Sequence, residues 1–293
     1  MHDIAHGHGL REDLEILARL QQRRAALRWL GAGAAALLAG CGGGGASSGA
    51  ADSTAGVSAA SMDASASSAM AAAITSNTCA VIPSETSGRY PGDGTSSGGN
   101  GGIANALTQS GIVRSDIVAS FGTSSGSADG VALTIALKLV NTNASCASLA
   151  GRAIYLWHCD ALGRYSMYAQ AIAGQNYLRG VQVTDDEGLV TFHSIAPACY
   201  DGRWPHIHFE VFASLEQAVS GNNDIKTSQI ALPAGMAQAV YADARYTGSS
   251  SNLEKTSPVT DNVFSDGVSL QTPTVSGSNA QGYVLSLQVG VQG

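Results

Sequence analysis

Histidine is scarce in this chain, and its absence from the C-terminal third is informative. Seven occur among 293 residues, three of them before residue 10, and none follows His208. Metal-binding jelly rolls and barrel-type metallohydrolases also use a His-x-His strand, but both need a further histidine downstream, and the barrels need a long α/β alternation that is missing here. No Cys-x-x-Cys pair is present, which removes zinc-ribbon architectures. Neither a P-loop nor a dinucleotide fingerprint surrounds the glycines, and no internal repeat is visible. Charged residues make up 13% of the chain. Residues 1–40 hold five of the 15 basic and four of the 22 acidic residues, so 10 basic and 18 acidic residues remain beyond them, a net charge of −8. That balance argues against nucleic acid as a partner.

The first 40 residues do not read as part of a folded domain. They contain no lysine, and Arg23-Arg24 precedes an alanine-rich apolar run from Ala25 to Leu38 that is too short to span a bilayer as a mature helix. The run ends in Leu38-Ala39-Gly40-Cys41. The segment resembles a bacterial twin-arginine export signal with a lipoprotein cleavage box, in which Cys41 becomes the lipidated first residue. The alternative is a short amphipathic helix packed on the domain. A Gly/Ser/Ala tract follows, which cannot bury enough apolar surface to offset its ordering entropy. The expected organisation is therefore an export signal over 1–40, a flexible linker over 41–76 and one folded domain over 77–293. The expected location is the periplasm or cell envelope, with membrane contact only through a lipid anchor at Cys41.

Beyond Cys79 the pattern is that of an all-β fold. VALTIALKLV (131–140) alternates Val131, Leu133, Ile135, Leu137 and Leu139 with smaller or polar residues. Residues 153–158, 180–184, 189–195, 206–212 and 283–289 are further candidate strands, divided by turn signals such as Asp160-Ala161-Leu162-Gly163. This spacing predicts a single β-sandwich with long loops, a helical turn or two near 234–244, and a surface loop over Gly92–Gly102. Four cysteines of the domain, Cys79, Cys146, Cys159 and Cys199, allow three disulfide connectivities. The expectation is Cys79 with Cys146 and Cys159 with Cys199, the alternative being four buried thiols.

Chemistry concentrates in CYDGRWPHIHFEV (199–211). In a strand, His206 and His208 share one face while Ile207, Phe209 and Val211 take the other. The tripeptide alone is equally compatible with a strand that carries two histidines and no metal. Tyr165, in a loop after the WHCD strand, and Tyr200, six residues before His206, change the balance. Two phenols and two imidazoles form a ligand set for a hard, highly charged ion, because phenolate is an anionic oxygen donor that offsets the ion's charge. Zinc or copper is better served by thiolate or imidazole.

WHCDALGRYSMY, YLRGVQVTDDEGLVTFHSIAPACYDGRWPHIHFEV and, more weakly, VIPSETSGRYPGD resemble the intradiol ring-cleavage dioxygenases, the group of protocatechuate 3,4-dioxygenase and catechol 1,2-dioxygenase. The strong part covers about residues 150–212. The resemblance implies that Tyr165, Tyr200, His206 and His208 bind a non-haem Fe(III), and that the partners are a catechol-type small aromatic and O2. It implies that Tyr200 is the axial ligand that leaves when substrate binds, that His208 is the other axial ligand, and that Arg203 faces the substrate. Arg179 and Gln182 are candidate pocket residues; His158 and His193 read as satisfied polar residues of strands. The sequence departs from known members in a short Tyr200–His206 loop, in lacking a recognisable N-terminal helical dimerisation domain, and in Arg89 where the family usually has proline. Two other classes stay open: an envelope-tethered aromatic-binding module without turnover, and a zinc-dependent hydrolase using His206 and His208.

Overall fold

The structure, a computed structural model, describes Ile74, residues 79–220 and residues 223–293. The expected export signal, Cys41 and all of the expected linker except Ile74 lie outside the described residues. Among the described residues no helix is long and apolar enough to cross a membrane.

Two sheets carry the domain. One is built on β3 (Ala132–Asn141), which pairs in parallel with β11 (Gly282–Val291); β10 (Thr274–Ser278) flanks β11. The other edge of β3 takes β7 (Leu189–Ile195) along most of its length and β4 (Ala147–Ser148) at its end. The second sheet runs in the order β6 (Arg179–Val183), β5 (Ala153–Trp157), β8 (His206–Phe212) and β9 (Asp224–Ala231), all antiparallel. Alternation explains the first sheet: Leu133, Ile135, Leu137, Leu285, Leu287 and Val289 are all buried on it. The two sheets form a β-sandwich.

The second sheet does not alternate. Every residue of β5 and of β8 is buried. Loops therefore cover the face of this sheet that turns away from the first, and His206 and His208 lie among them. One cover is the segment 79–92. Ile82 N–H donates to Gly290 O (2.9 Å) and Glu85 N–H to Thr227 O (2.9 Å), so the segment bridges β11 and β9 before it reaches Gly88. Cys79 is bonded to Cys146, closing a separation of 67 residues. In the chain-entropy account a loop of that length contributes about 4 kcal/mol.

Three expectations are corrected. Cys159 and Cys199 are free and buried, not bridged. Their thiols are aimed at separate carbonyls, Cys159 at Ala198 O (3.7 Å) and Cys199 at Arg203 O (3.5 Å). The stretch expected as a loop at Gly92–Gly102 instead contains β1 (Asp93–Ser97), paired with β2 (Ile103–Asn105) as a small ribbon. Helix α2 (Ala234–Val240) occupies the expected helical stretch, but α1 (Leu215–Ser220) and α3 (Ser249–Leu253) were not anticipated.

Candidate metal centre

Three local devices deliver the four expected ligands. After β5 the chain turns at Asp160, whose Oδ1 accepts N–H bonds from Leu162 and Arg164 (both 2.9 Å) while Oδ2 binds the Arg164 guanidinium (2.7 Å). Gly163 has φ +75°, and a Cβ there would lie 3.0 Å from the Cβ of Tyr200, so only glycine lets this turn and Tyr200 approach so closely. The turn sends Tyr165 into the interior. Tyr200 stands on the next loop, pinned where Cys199 N–H donates to Ser249 Oγ (3.2 Å) and Asn252 donates to Cys199 O (2.9 Å). His206 and His208 project from one face of β8.

The four side chains converge. Nε2 of His206 and of His208 are 3.1 Å apart; Tyr165 Oη lies 3.2 Å from the latter and 3.5 Å from the former. Tyr200 Oη is 3.1 Å from His206 Nε2 and 3.5 Å from Tyr165 Oη. Four ligands held about 2.0–2.1 Å from one ion are separated from each other by roughly 2.9–3.4 Å, so these spacings fit a single cation.

Protonation points the same way. His206 Nδ1 is 2.6 Å from Trp204 O, a carbonyl that can only accept, so Nδ1 carries the proton and the Nε2 lone pair faces the cluster. His208 is held differently: its ring stacks on Trp157 (centroids 5.0 Å apart, planes 5° from parallel), and among the described residues its buried Nδ1 has no hydrogen-bond partner. Gly88, with φ +73°, closes the other side, where a Cβ would sit 3.1 Å from His208 Cε1. Burial pushes His206 down to about 3, helped by Arg203, and takes His208 well below the ordinary imidazole value. It raises Tyr165 well above the usual phenol range and Tyr200 to about 12. A bound cation opposes the phenol shift, since an adjacent positive charge favours phenolate. Among the described residues no three His, Cys, Asp or Glu side chains are grouped as a metal site, so the phenols are what make this a four-donor set. The residues present fit a hard, highly charged ion.

Arg203 lies at the edge of the cluster, with Nη1 3.5 Å from His206 Nε2. Its Nε donates to Asp261 Oδ2 and its Nη2 to Gln229 Oε1, both at 2.8 Å. Asp261 and Gln229 were not anticipated; both are fully buried, and each meets Arg203 only through the tertiary fold.

Arg179 is a correction. All five of its N–H groups are spent within the protein, on Ser166 Oγ and O, Pro91 O, Tyr155 Oη and Tyr90 O, leaving none for a ligand. Gln182, on β6, pairs with Ile154 of β5 and donates to Val181 O. Three residues along a strand separate it from Arg179, about 10 Å. His158 is satisfied by Cys159 O (2.8 Å) and Ser194 Oγ (2.7 Å), and burial lowers it to about 4. Tyr90 lays its ring 5.0 Å from that of Tyr165 and remains 37% exposed, so it roofs the buried phenol at the surface.

Residues 115–222 match the family model described as Dioxygenase, a span that contains Tyr165, Tyr200, Arg203, His206 and His208. The fold is shared with an intradiol ring-cleavage dioxygenase from Tetranychus urticae (TM-score 0.56, 24% identity, 73% of this chain and 95% of that one). Over the matched span the chain is similar to the intradiol ring-cleavage dioxygenases. Among curated relatives of that family, the chlorocatechol 1,2-dioxygenase of Rhodococcus opacus is 38% identical over 53 residues, which is 18% of this chain. The match spans 21% of the length of that relative.

Proposed function

We propose that this protein is a non-haem Fe(III)-dependent intradiol dioxygenase. It opens a catecholic ring with O2 between the two hydroxylated carbons and yields a cis,cis-muconate-type dicarboxylic acid. The observation that carries the reading is the convergence of two phenol oxygens and two imidazole nitrogens, each within 3.1–3.5 Å of its neighbours, inside a domain similar to that family. Tyr165, Tyr200, His206 and His208 would hold the iron. Bound there, Fe(III) would supply Lewis acidity toward the diol and the electron-accepting capacity that reaction with O2 requires.

The protein's own groups divide the remaining work. Tyr165 is buried and keeps its place; Tyr200 is only half-buried and stands on a turn beside Gly202 (φ +77°). Tyr200 would therefore be the residue that makes way for substrate and takes up a diol proton at Oη. The neutral imidazoles of His206 and His208 anchor the site without adding charge. Arg203 turns Nη1 of its guanidinium toward the place where the substrate becomes anionic. Trp157 and Gly88 close the side behind His208 to water.

We also read the chain as exported and tethered to the cell envelope through Cys41, on the strength of Arg23-Arg24, the apolar run and the Leu-Ala-Gly-Cys ending. Twin-arginine export carries folded proteins, which suits a domain that acquires iron before leaving the cytoplasm.

The test is product analysis under 18O2 with iron-loaded protein and a panel of catechols. A ring-opened dicarboxylate carrying both labelled atoms is expected, and Tyr200→Phe should fold, bind iron and turn over about 10- to 100-fold more slowly. Absence of ring opening across the panel, or cleavage outside the diol, contradicts the reading.

A further inference from the structure

Asp261 lies well beyond residue 222, where the family match ends, on the segment between α3 and β10. It is fully buried, and both carboxylate oxygens are engaged. Oδ1 accepts from the backbone N–H groups of Val263 (2.8 Å) and Phe264 (3.2 Å). Oδ2 accepts from Trp204 N–H (2.6 Å) and from Arg203 Nε (2.8 Å). On its other side the Arg203 guanidinium meets Gln229, which is itself anchored where Nε2 donates to Thr86 O (2.8 Å). A planar guanidinium gripped at Nε and Nη2 has one free edge. That edge, Nη1, is the one turned to the four-donor cluster, 3.5 Å from His206 Nε2.

We propose that Asp261 is a positioning residue that holds the Arg203 guanidinium in register with the four-donor cluster, so that Nη1 meets the anionic form of the substrate. This rests on the dioxygenase reading for the identity of the substrate, but the hold of Asp261 on Arg203 is a property of the protein alone. Backbone N–H groups lock Oδ1, so the carboxylate cannot follow a wandering arginine. Without the charge on Oδ2 the guanidinium is free to swing toward solvent, and misplacement by about 1 Å at such a site costs on the order of 100-fold in rate.

Asp261→Asn is the near-isosteric variant to make. In metal-free protein the Arg203 Nε–H resonance, identified by its loss in Arg203→Met, should be slow to exchange in the wild type and at least about 10-fold faster in Asp261→Asn. Iron content should be equal in the two proteins. Anaerobic titration with 4-nitrocatechol should show binding weakened about 10-fold, and kcat should fall about 10- to 100-fold. In an Arg203→Met background Asp261→Asn should cost less than about threefold more, because residues that act as one unit are not additive. Fast Nε–H exchange in the wild type overturns the proposal even if Asp261→Asn fails to fold. Multiplicative losses in the double variant, or unchanged kcat and nitrocatechol binding, overturn it as well. A wild type that opens no catechol while its Arg203 Nε–H is protected contradicts the dioxygenase reading and leaves the Asp261–Arg203 hold established.

Discussion

Arg179→Met separates two roles that a buried arginine near an active site can have. If Arg179 bound substrate, its removal would raise KM and leave the fold intact. In the structure it is 1% exposed and serves instead as a clamp between β6, the Ser166 backbone and the Tyr90-Pro91 segment. Methionine fills similar space but donates nothing. Pro91 O still accepts from Tyr155 Oη (2.6 Å) and Ser166 Oγ still donates to Tyr177 O (2.7 Å), so among the described residues the groups left without any partner are the carbonyls of Tyr90 and Ser166. Each orphaned carbonyl costs about 1–3 kcal/mol, and relief from burying a charge that has no carboxylate partner among the described residues offsets part of the total. The expected loss is about 2–4 kcal/mol, or roughly 4–16 °C in Tm for a domain of this size. Urea unfolding of the metal-free variant measures it. Freeing the Tyr90-Pro91 segment from this clamp should also loosen the neighbouring cover that Gly88 makes over His208 and weaken metal retention. A variant that unfolds at the wild-type midpoint but binds catechols more weakly would refute the clamp and restore Arg179 as a pocket residue.

Two further outcomes follow from burial and from the N-terminal segment. Glu210 lies on β8 two residues beyond His208; burial raises its pKa from 4.5 to about 8, with Asp93 and Asp224 adding to the shift. The native state thus keeps a proton that the unfolded chain has lost, so this contribution to stability is complete below about pH 4.5 and fades as pH rises to 8. Glu210→Gln should be more stable than wild type by roughly 2–4 kcal/mol at pH 8 and nearly equal to it at pH 4.5; parallel stability-against-pH curves would contradict this. Cys41→Ser should move the protein from the membrane fraction to the soluble fraction of the expressing cell, and a wild type already soluble there contradicts the lipid anchor.

What the sequence made legible was whatever depends on local pattern. The His-x-His strand could be read because alternation alone decides which side chains share a face, and strong β-formers flank the pair. Both phenols could be placed near it only because their motifs resemble a family. The hairpin over 93–105 was hidden because glycine and serine carry no strand signal, and the ribbon is held by its own turn and by Tyr168, whose hydroxyl meets Gly92 N–H and Ser96 Oγ. β9 and β10 are edge strands, mostly polar along their exposed parts, and offer no alternation to read. Asp261 and Gln229 reach Arg203 through contacts 58 and 26 residues apart in the chain, which leave no spacing signature. Disulfide pairing depends on where each sulfur points, and Arg179 reads identically in sequence whether it faces a ligand or a carbonyl.

The most direct test is metal analysis of purified protein together with its visible spectrum, before and after anaerobic addition of catechol. The account predicts about one iron per chain and a broad tyrosinate-to-Fe(III) band that shifts when catechol binds and weakens in Tyr200→Phe. A colourless protein holding zinc or no metal, after expression with iron supplied, would contradict it.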